Sequence, residues 1–185
     1  ISTFYHFAPV ANVEGLKLEI KNLAESLKIK GLIILGAEGF NTTSSATSRE
    51  NLEAWKDFFR KRFGIKKLNN KDSVSNKIPF LRFSAKIRPE IVTTGRQDLF
   101  LDSSKVGANH HLSPTEWDQM MKNERDQVVI VDTRNWYEYS LGTFKGALNP
   151  DIEKFTDFPR YLESQNIARD KKIMIFCTGG IRCEK

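Results

Sequence analysis

Cysteine is scarce in this chain of 185 residues, which contains only two. Two cysteines are too few for a disulfide framework, so we expect a reducing, cytoplasmic setting. Long apolar runs are also missing, since no stretch approaches the ~20 apolar residues of a membrane helix. The N-terminus lacks the basic-then-apolar pattern of a signal peptide. We therefore expect no association with a membrane.

The sequence contains no metal-binding triad, no flavin motif and no dinucleotide-binding fingerprint, so it identifies no cofactor and no metal ion. What is present describes ordinary globular domains, with 39% hydrophobic and 28% charged residues. The length fits one large domain or two small ones.

Positive charge is concentrated in the first half of the chain. The formal charge is +6, and residues 1–90 hold 16 Lys and Arg against 9 Asp and Glu, a net of +7. Residues 91–185 hold 13 against 14, a net of −1. A basic module joined to a near-neutral one predicts that the first half meets a polyanion. The alternative is a solvated surface that serves only solubility.

Hydrophobic periodicity in the first half predicts the order β-α-β-β-α-β. This is the split βαβ, ferredoxin-like pattern (acylphosphatase-like), an α+β domain over residues 1–90 with two helices on one face of an antiparallel sheet. The predicted strands and helices are residues 2–8, 12–28, 30–37, 40–46 and 48–63, followed by strand-like segments at 65–68 and 80–87.

The last predicted strand alternates between apolar and polar residues. Leu81, Phe83, Ala85 and Ile87 are predicted on one face, and the other carries the candidate RNA-binding cations Arg82, Lys86 and Arg88. Cations about two residues apart suit a phosphate backbone, which they would position without reading its sequence. A simple solvated strand face is the alternative.

Residues 91–112 have no sustained period and are predicted to be a linker. From residue 113 strands and helices alternate, which predicts a parallel α/β domain over residues 113–185. Ser113, Pro114 and Glu116 form the signature of a helix start. Further segments are a strand at 128–131, a helix at 137–139, a turn and short strand at 142–150, a helix at 155–164 and a strand at 172–176. We expect this domain to be incomplete at its C-terminus.

The candidate catalytic residue is Cys177, at the end of the last strand. The active-site loop that follows it consists of Thr178, Gly179, Gly180, Ile181 and Arg182. Glycines permit the curvature by which backbone N–H groups surround a thiolate. Together with the charge of Arg182, these groups are predicted to lower the thiol pKa and favour a nucleophile at neutral pH. The same cradle suits a cysteine persulfide.

Three other interpretations of Cys177 stay open at this point. It can be an inert core thiol, or it can form a redox disulfide with Cys183, although their spacing is not that of a C-x-x-C motif. The two cysteines can also bind zinc with His110 and His111, although the spacing fits no common zinc finger.

Loop length distinguishes two enzyme classes. A cysteine-based phosphatase needs a ring wide enough for phosphate, with five residues between its Cys and Arg. Only four residues separate Cys177 from Arg182. The tighter ring favours a single sulfur atom.

The sequence CTGGIR resembles the active-site loop of rhodaneses, a sulfurtransferase family. VVIVDTRN and EYSLGTFKGALNP resemble the two other rhodanese motifs, a D-x-R strand end and a G-x-x-x-G-A-x-x-P turn. The resemblance implies a rhodanese-like fold in which Asp132 and Arg134 are structural and pair around the loop. It also implies that Cys177 carries the persulfide.

The whole chain resembles the bacterial tRNA uridine hydroxylase family through HLSPTEW, DTRNWYE, GTFKGALNP and FCTGGIRCEK. This resemblance implies oxygen-dependent 5-hydroxylation of the wobble uridine, with molecular oxygen as co-substrate and the tRNA anticodon arm as partner. It also implies a chain that continues beyond Lys185. One departure is that Glu38-Gly39-Phe40-Asn41-Thr42-Thr43 stands where the family usually has EGINGT.

Three hypotheses follow. The first is a tRNA-modifying enzyme whose basic domain presents a uridine to Cys177. The second is a rhodanese-type sulfurtransferase that passes sulfur to a small-molecule or protein acceptor. The third is a non-catalytic binding module that uses the rhodanese fold.

Overall fold

A computed structural model describes residues 1–96, residue 98 and residues 111–185. The described residues form two compact units, Ile1–Val92 and the residues from Thr93 onward. In this part of the chain no helix combines the length and the apolar character needed to cross a membrane.

The first unit is built on one five-stranded sheet in the order β4-β1-β3-β2-β5. The predicted β-α-β-β-α-β order is confirmed, with one further strand. The four strands β1–β4 pair antiparallel, whereas β5 pairs with β2 in parallel. The sheet is therefore mixed, and the prediction of an antiparallel sheet is wrong for β5. The elements are β1 Ser2–Phe7, α1 Val13–Ser26, β2 Lys30–Gly36, β3 Gly39–Ser45, α2 Arg49–Phe63, β4 Asn70–Asp72 and β5 Phe83–Ile87.

Two strand predictions in this unit are wrong. Residues 65–68 are not a strand, because the N–H of Ile65 bonds the Arg60 carbonyl and closes the end of α2, while Leu68 is buried in the core. The three residues of β4 take its place at the sheet edge. The predicted last strand begins only at Phe83, and Leu81, predicted to face inward, is 94% exposed.

Both helices of this unit are capped by side chains at their N-termini. The Asn12 side chain accepts a hydrogen bond from the N–H of Gly15 at 2.8 Å, and Ser48 accepts one from the N–H of Asn51 at 3.4 Å. Gly64 ends α2 at φ 65°, a left-handed conformation that glycine adopts without steric cost. The apolar faces of both helices meet the sheet in one core, whose centre is a cluster of fully buried rings: Phe4, Phe40, Trp55 and Phe59.

The turn between β2 and β3 holds the chain where it leaves the unit. The buried Glu38 carboxylate accepts a hydrogen bond from the N–H of Ile91 at 2.7 Å, and the Asn41 amide donates to the Ile91 carbonyl at 3.3 Å. Thr42, which replaces the usual family glycine, donates to the Leu32 carbonyl at 2.9 Å. The departure in this motif is therefore accommodated by hydrogen bonds inside the sheet.

The second unit has a parallel pair of strands, which confirms the predicted parallel α/β arrangement. Its elements are α3 Pro114–Asn123, β6 Val128–Asp132, α4 Trp136–Ser140, α5 Phe158–Ser164, β7 Lys172–Phe176 and α6 Ile181–Glu184. The predicted short strand at 142–150 is reduced to one bridge between Val131 and Leu148. The predicted capping box of Ser113 and Glu116 is present. Residues 97 and 99–110 of the predicted linker, including His110, lie outside the described residues.

Candidate active site

The Cys177 sulfur lies in a ring of backbone N–H groups between β7 and α6. The N–H of Gly180 donates to Cys177 Sγ at 2.9 Å, and the N–H groups of Arg182 and Cys183 also hydrogen-bond the sulfur. Gly180 adopts φ 90°, which turns the chain sharply enough to aim these donors inward. The loop therefore has the cradle geometry that its glycines predict.

The strongest influence on Cys177 is the neighbouring thiol. A hydrogen bond from the Cys183 side chain, reinforced by the three backbone N–H groups, outweighs burial and lowers the pKa of Cys177 to about 5. The same hydrogen bond, together with burial and the charge on Cys177, raises the pKa of Cys183. These contacts therefore favour the thiolate form of Cys177, and Cys183 is the thiol that donates to it.

The side chain of Arg182 extends to the end of β6. Its guanidinium Nη1 donates to the Thr133 carbonyl oxygen at 2.8 Å, and the group lies 5.8 Å from the centroid of the Phe155 ring. The side chain thus ties the loop to the end of β6. Its contribution to the acidity of Cys177 comes from the backbone N–H, which donates to the sulfur.

Thr178 connects the loop to α4. Its hydroxyl donates to Glu138 Oε1, and the other oxygen of that carboxylate accepts from the Asn135 N–H at 3.2 Å. Burial alone would raise the pKa of Glu138, but these hydrogen bonds and two nearby arginines lower it. Glu138 is not among the predicted site residues, although its capping-box spacing from Asn135 is a signal in the sequence.

Asp132 and Arg134 form a closed ion pair beside the loop. Asp132 is 0% exposed, and its two oxygens accept from Arg134 Nε at 2.9 Å and Nη2 at 2.7 Å. Thr143 donates to the same carboxylate at 2.8 Å, and Arg134 also donates to the Gly142 carbonyl. Burial would raise the pKa of Asp132, yet the bonds from Arg134 and Thr143 lower it. The pair fastens the segment after α4 to the strand that precedes the site.

The remaining loop residues complete the cradle. Ile181 is buried and anchors α6, whereas a Cβ added at Gly179 would meet no atom within 4 Å. The structure therefore places the five predicted loop residues around Cys177. The predicted RNA-binding residues Arg82, Lys86 and Arg88 belong to the first unit, where each is exposed on or beside the edge strand β5.

The alternative roles of the cysteines can be compared with this geometry. Cys177 and Cys183 are both free thiols. His111 Nε2 lies 2.9 Å from Glu184 Oε1. Among the residues that the structure describes, no cluster of three or more His, Cys, Asp or Glu could hold a metal ion.

The first unit contains a groove of about 800 Å³ that the sequence analysis missed. Its cations come from three separate segments, so no local motif predicts it: Lys28, Lys30, Arg49 and Lys77. The two carboxylates in its lining, Glu53 and Asp72, bind the buried Lys56 ammonium at 2.6 and 3.0 Å. The groove therefore presents a net positive lining next to the N-terminus of α2.

Comparison with known proteins assigns a class to each unit. Residues 1–91 match the UPF0176 acylphosphatase like domain, and residues 113–185 match the rhodanese-like domain. The chain is thus an acylphosphatase-like domain followed by a rhodanese-like domain with an activated cysteine.

Three curated relatives carry the name tRNA uridine(34) hydroxylase, and each match covers 100% of this chain. The relative from Bdellovibrio bacteriovorus is 55% identical over 185 residues, which are 52% of its length. The relative from Legionella pneumophila strain Lens is 44% identical, and the match covers 71% of its length. The relative from Wolbachia pipientis wMel is 38% identical, and the match covers 65% of its length. The chain belongs to the tRNA uridine(34) hydroxylase family. It spans between about half and about seven-tenths of the length of these relatives.

Proposed function

We propose that this protein is a tRNA-modifying enzyme that hydroxylates C5 of the wobble uridine in an oxygen-dependent reaction. The observation that carries the proposal is the Cys177 sulfur, which accepts a hydrogen bond from the Gly180 N–H at 2.9 Å in a chain that belongs to this family. The relatives' name gives uridine 34 of tRNA as their substrate and hydroxylation as their reaction. Molecular oxygen is the co-substrate of this proposal, and tRNA in the cytoplasm is its partner.

Cys177 is the nucleophile in this proposal. A thiolate at neutral pH is able to bond to an electrophilic carbon of the substrate or to hold a persulfide sulfur. The N–H groups of Gly180, Arg182 and Cys183 stabilise the negative charge on the sulfur. Asp132 and Arg134 hold the loop's surroundings in place.

The basic first unit binds the anticodon arm in this proposal. Arg82, Lys86 and Arg88 are exposed cations at one edge of its sheet, and the groove contributes four more. Cations in both places contact phosphates, which gives affinity and orientation but no reading of bases. A polyanionic substrate explains the basic excess of residues 1–90 better than a small anion does.

A rhodanese-type sulfurtransferase is the second candidate. The specific observation in its favour is the ring of three N–H donors around one sulfur, spanned by a loop of four residues between Cys177 and Arg182. Thiocyanate production from thiosulfate and cyanide, with a tRNA affinity that is absent or insensitive to salt, would favour this candidate over the first.

Nucleoside mass spectrometry of tRNA tests the first candidate. Cells lacking the gene are complemented with the wild-type protein or with Cys177→Ala. We expect 5-hydroxyuridine at the wobble position with the wild type and none with the variant. Purified Cys177→Ala should bind tRNA as the wild type does, which shows that the loss is chemical. Full modification with Cys177→Ala would overturn the assignment of Cys177.

A further inference from the structure

The second cysteine of the chain forms no covalent bond in the proposed reaction, yet it contacts the nucleophile. The Cys183 thiol hydrogen-bonds the Cys177 sulfur, and its own backbone N–H donates to the same atom. The Cys183 side chain also has a hydrogen bond with the Thr133 side chain, at the end of β6. Both cysteines are free and half-buried. Two reduced thiols are thus held in contact inside one short loop.

We propose that Cys183 is a resolving cysteine, which closes a reversible disulfide with Cys177 when a hydroperoxide oxidises the nucleophile. The inference does not depend on the tRNA reaction. It rests on the contact between the two sulfur atoms and on the placement of Cys183 in the first turn after the loop, where the N–H of Cys183 also bonds the Gly180 carbonyl at 3.1 Å.

The chemistry has two steps. In the first, the Cys177 thiolate attacks one oxygen of the hydroperoxide, the O–O bond breaks, and the leaving alkoxide or hydroxide takes a proton from water, which gives Cys177–SOH. In the second, the Cys183 sulfur attacks the Cys177 sulfur, the S–O bond breaks, and the hydroxyl leaves with the Cys183 proton as water. The hydroperoxide gains the two electrons that the two thiols lose.

The pairing of an acidic thiol with a protonated one suits this sequence of steps. Only the thiolate reacts quickly with peroxide, so Cys177 is oxidised first and Cys183 remains available for the second step. Without a neighbouring thiol, an exposed sulfenic acid proceeds to sulfinic acid, which is not readily reversed. The disulfide stops oxidation at a level that a cellular thiol is able to reverse.

Peptide mapping of the full chain after peroxide treatment tests the proposal. The reduced protein is mixed with equimolar hydrogen peroxide in the presence of dimedone, which traps sulfenic acid, and is then alkylated and digested with trypsin. Cleavage after Arg182 separates Cys177 from Cys183, so a disulfide joins two peptides that otherwise part. We expect the two alkylated peptides to disappear together and the disulfide-linked pair of peptides to appear. Treatment with dithiothreitol should restore both alkylatable thiols.

Two variants test the roles of the two cysteines separately. Cys183→Ser should accumulate the dimedone adduct on Cys177, and sulfinic acid with excess peroxide. Cys177→Ser should leave Cys183 alkylatable. The wild-type protein alone is sufficient to overturn the proposal: dimedone on Cys177 with Cys183 still alkylated would show that Cys183 does not resolve the sulfenic acid. That outcome would leave the tRNA reaction unaffected, because the latter is measured by nucleoside analysis.

Discussion

The hydrogen bond between Cys183 and Cys177 shifts the pKa values of the two thiols in opposite directions. One thiol becomes acidic because the other donates to it, and the donor becomes harder to ionise for the same reason. The groups that lower the pKa of Cys177 thus all belong to the loop and to the first turn of α6. The backbone N–H groups contribute as predicted from the loop, and the Arg182 side chain holds the loop to Thr133.

Alkylation of Cys177 should follow this acidity. We expect the rate with iodoacetamide to reach half its plateau near pH 5 and to fall at lower pH, where the thiolate is protonated. Cys183→Ala removes the largest stabilising contact, so its half-maximal pH should rise. Rates are measured by mass spectrometry of the Cys177 peptide. An unchanged profile in Cys183→Ala would show that the backbone N–H groups alone are responsible.

Arg134→Ala should destabilise the second unit. The substitution leaves the fully buried Asp132 carboxylate without its ionic partner, a defect that costs about 3 kcal/mol in comparable buried pairs. Urea unfolding is the measurement, and Arg125→Ala, an exposed arginine of the same unit, is the matched control.

The pH dependence of that effect has a definite sign. The folded pKa of Asp132 is lowered, so the pair contributes stability above the ordinary aspartate pKa and loses it as the pH falls through the folded value. The difference between wild type and Arg134→Ala should therefore shrink in acid. A difference that is constant with pH would assign the loss to packing of the arginine stem.

Among single residues, the sequence predicts those whose role is encoded within a few neighbours. Cys177 with its glycines and the helix caps Ser48 and Ser113 are of this kind. The partnership of Glu138 with Thr178 joins residues 40 positions apart, and only the fold brings them together. The contact of the Arg182 side chain with the Thr133 carbonyl also joins residues that are distant in sequence, so it depends on the fold.

At the scale of elements, the β2–β3 hairpin contains a glycine that has no room for a side chain. Gly39 adopts φ 134°, and an added Cβ would lie 2.0 Å from the His6 carbonyl oxygen, which is part of the neighbouring strand β1. Gly64 also has positive φ, but a Cβ there meets nothing within 4 Å. A side chain is therefore unfavourable at the two positions for different physical reasons, steric at Gly39 and purely torsional at Gly64.

These glycines make a matched pair of substitutions. Gly64→Ala should cost about 1 kcal/mol, the torsional cost alone. Gly39→Ala should cost several times more, because two paired strands must separate to admit the methyl group. Thermal unfolding of both variants measures the difference. Equal losses would show that the strands move apart readily.

Element order is predictable here, whereas edge placement is not. Periodicity gives both helices and most strands, because their apolar positions repeat along the sequence. It does not reveal that β4 has only three residues or that β5 pairs in parallel with β2 at the opposite edge. Those choices depend on which edge is open once the other strands have paired.

At the scale of the whole molecule, charge is the property that connects the first unit with the proposed substrate. Removing Arg82, Lys86 and Arg88 together should reduce the slope of log K against log salt for tRNA binding by about 2 to 3, if each contacts one phosphate. Lys30→Ala with Arg49→Ala should reduce it by about 1 to 2 if the groove binds the backbone as well.

Filter binding at several salt concentrations provides these slopes. Lys21→Ala, an exposed cation of the same unit outside both sets, is the control and should change the slope least. A triple variant with an unchanged slope would remove β5 from the proposed RNA surface. An unchanged slope in the double variant would remove the groove.

The hydrogen bonds of Glu38 and Asn41 with the Ile91 backbone have a mechanical consequence. Tension on the chain beyond residue 91 would otherwise load the end of β5 directly and peel that strand from β2 one hydrogen bond at a time. Because the Ile91 N–H and carbonyl are both held, the load passes first into the tight β2–β3 turn. That turn joins β2 and β3, two of the three inner strands of the sheet, which pair with each other along their full length. The edge strand is thereby shielded from forces transmitted along the chain.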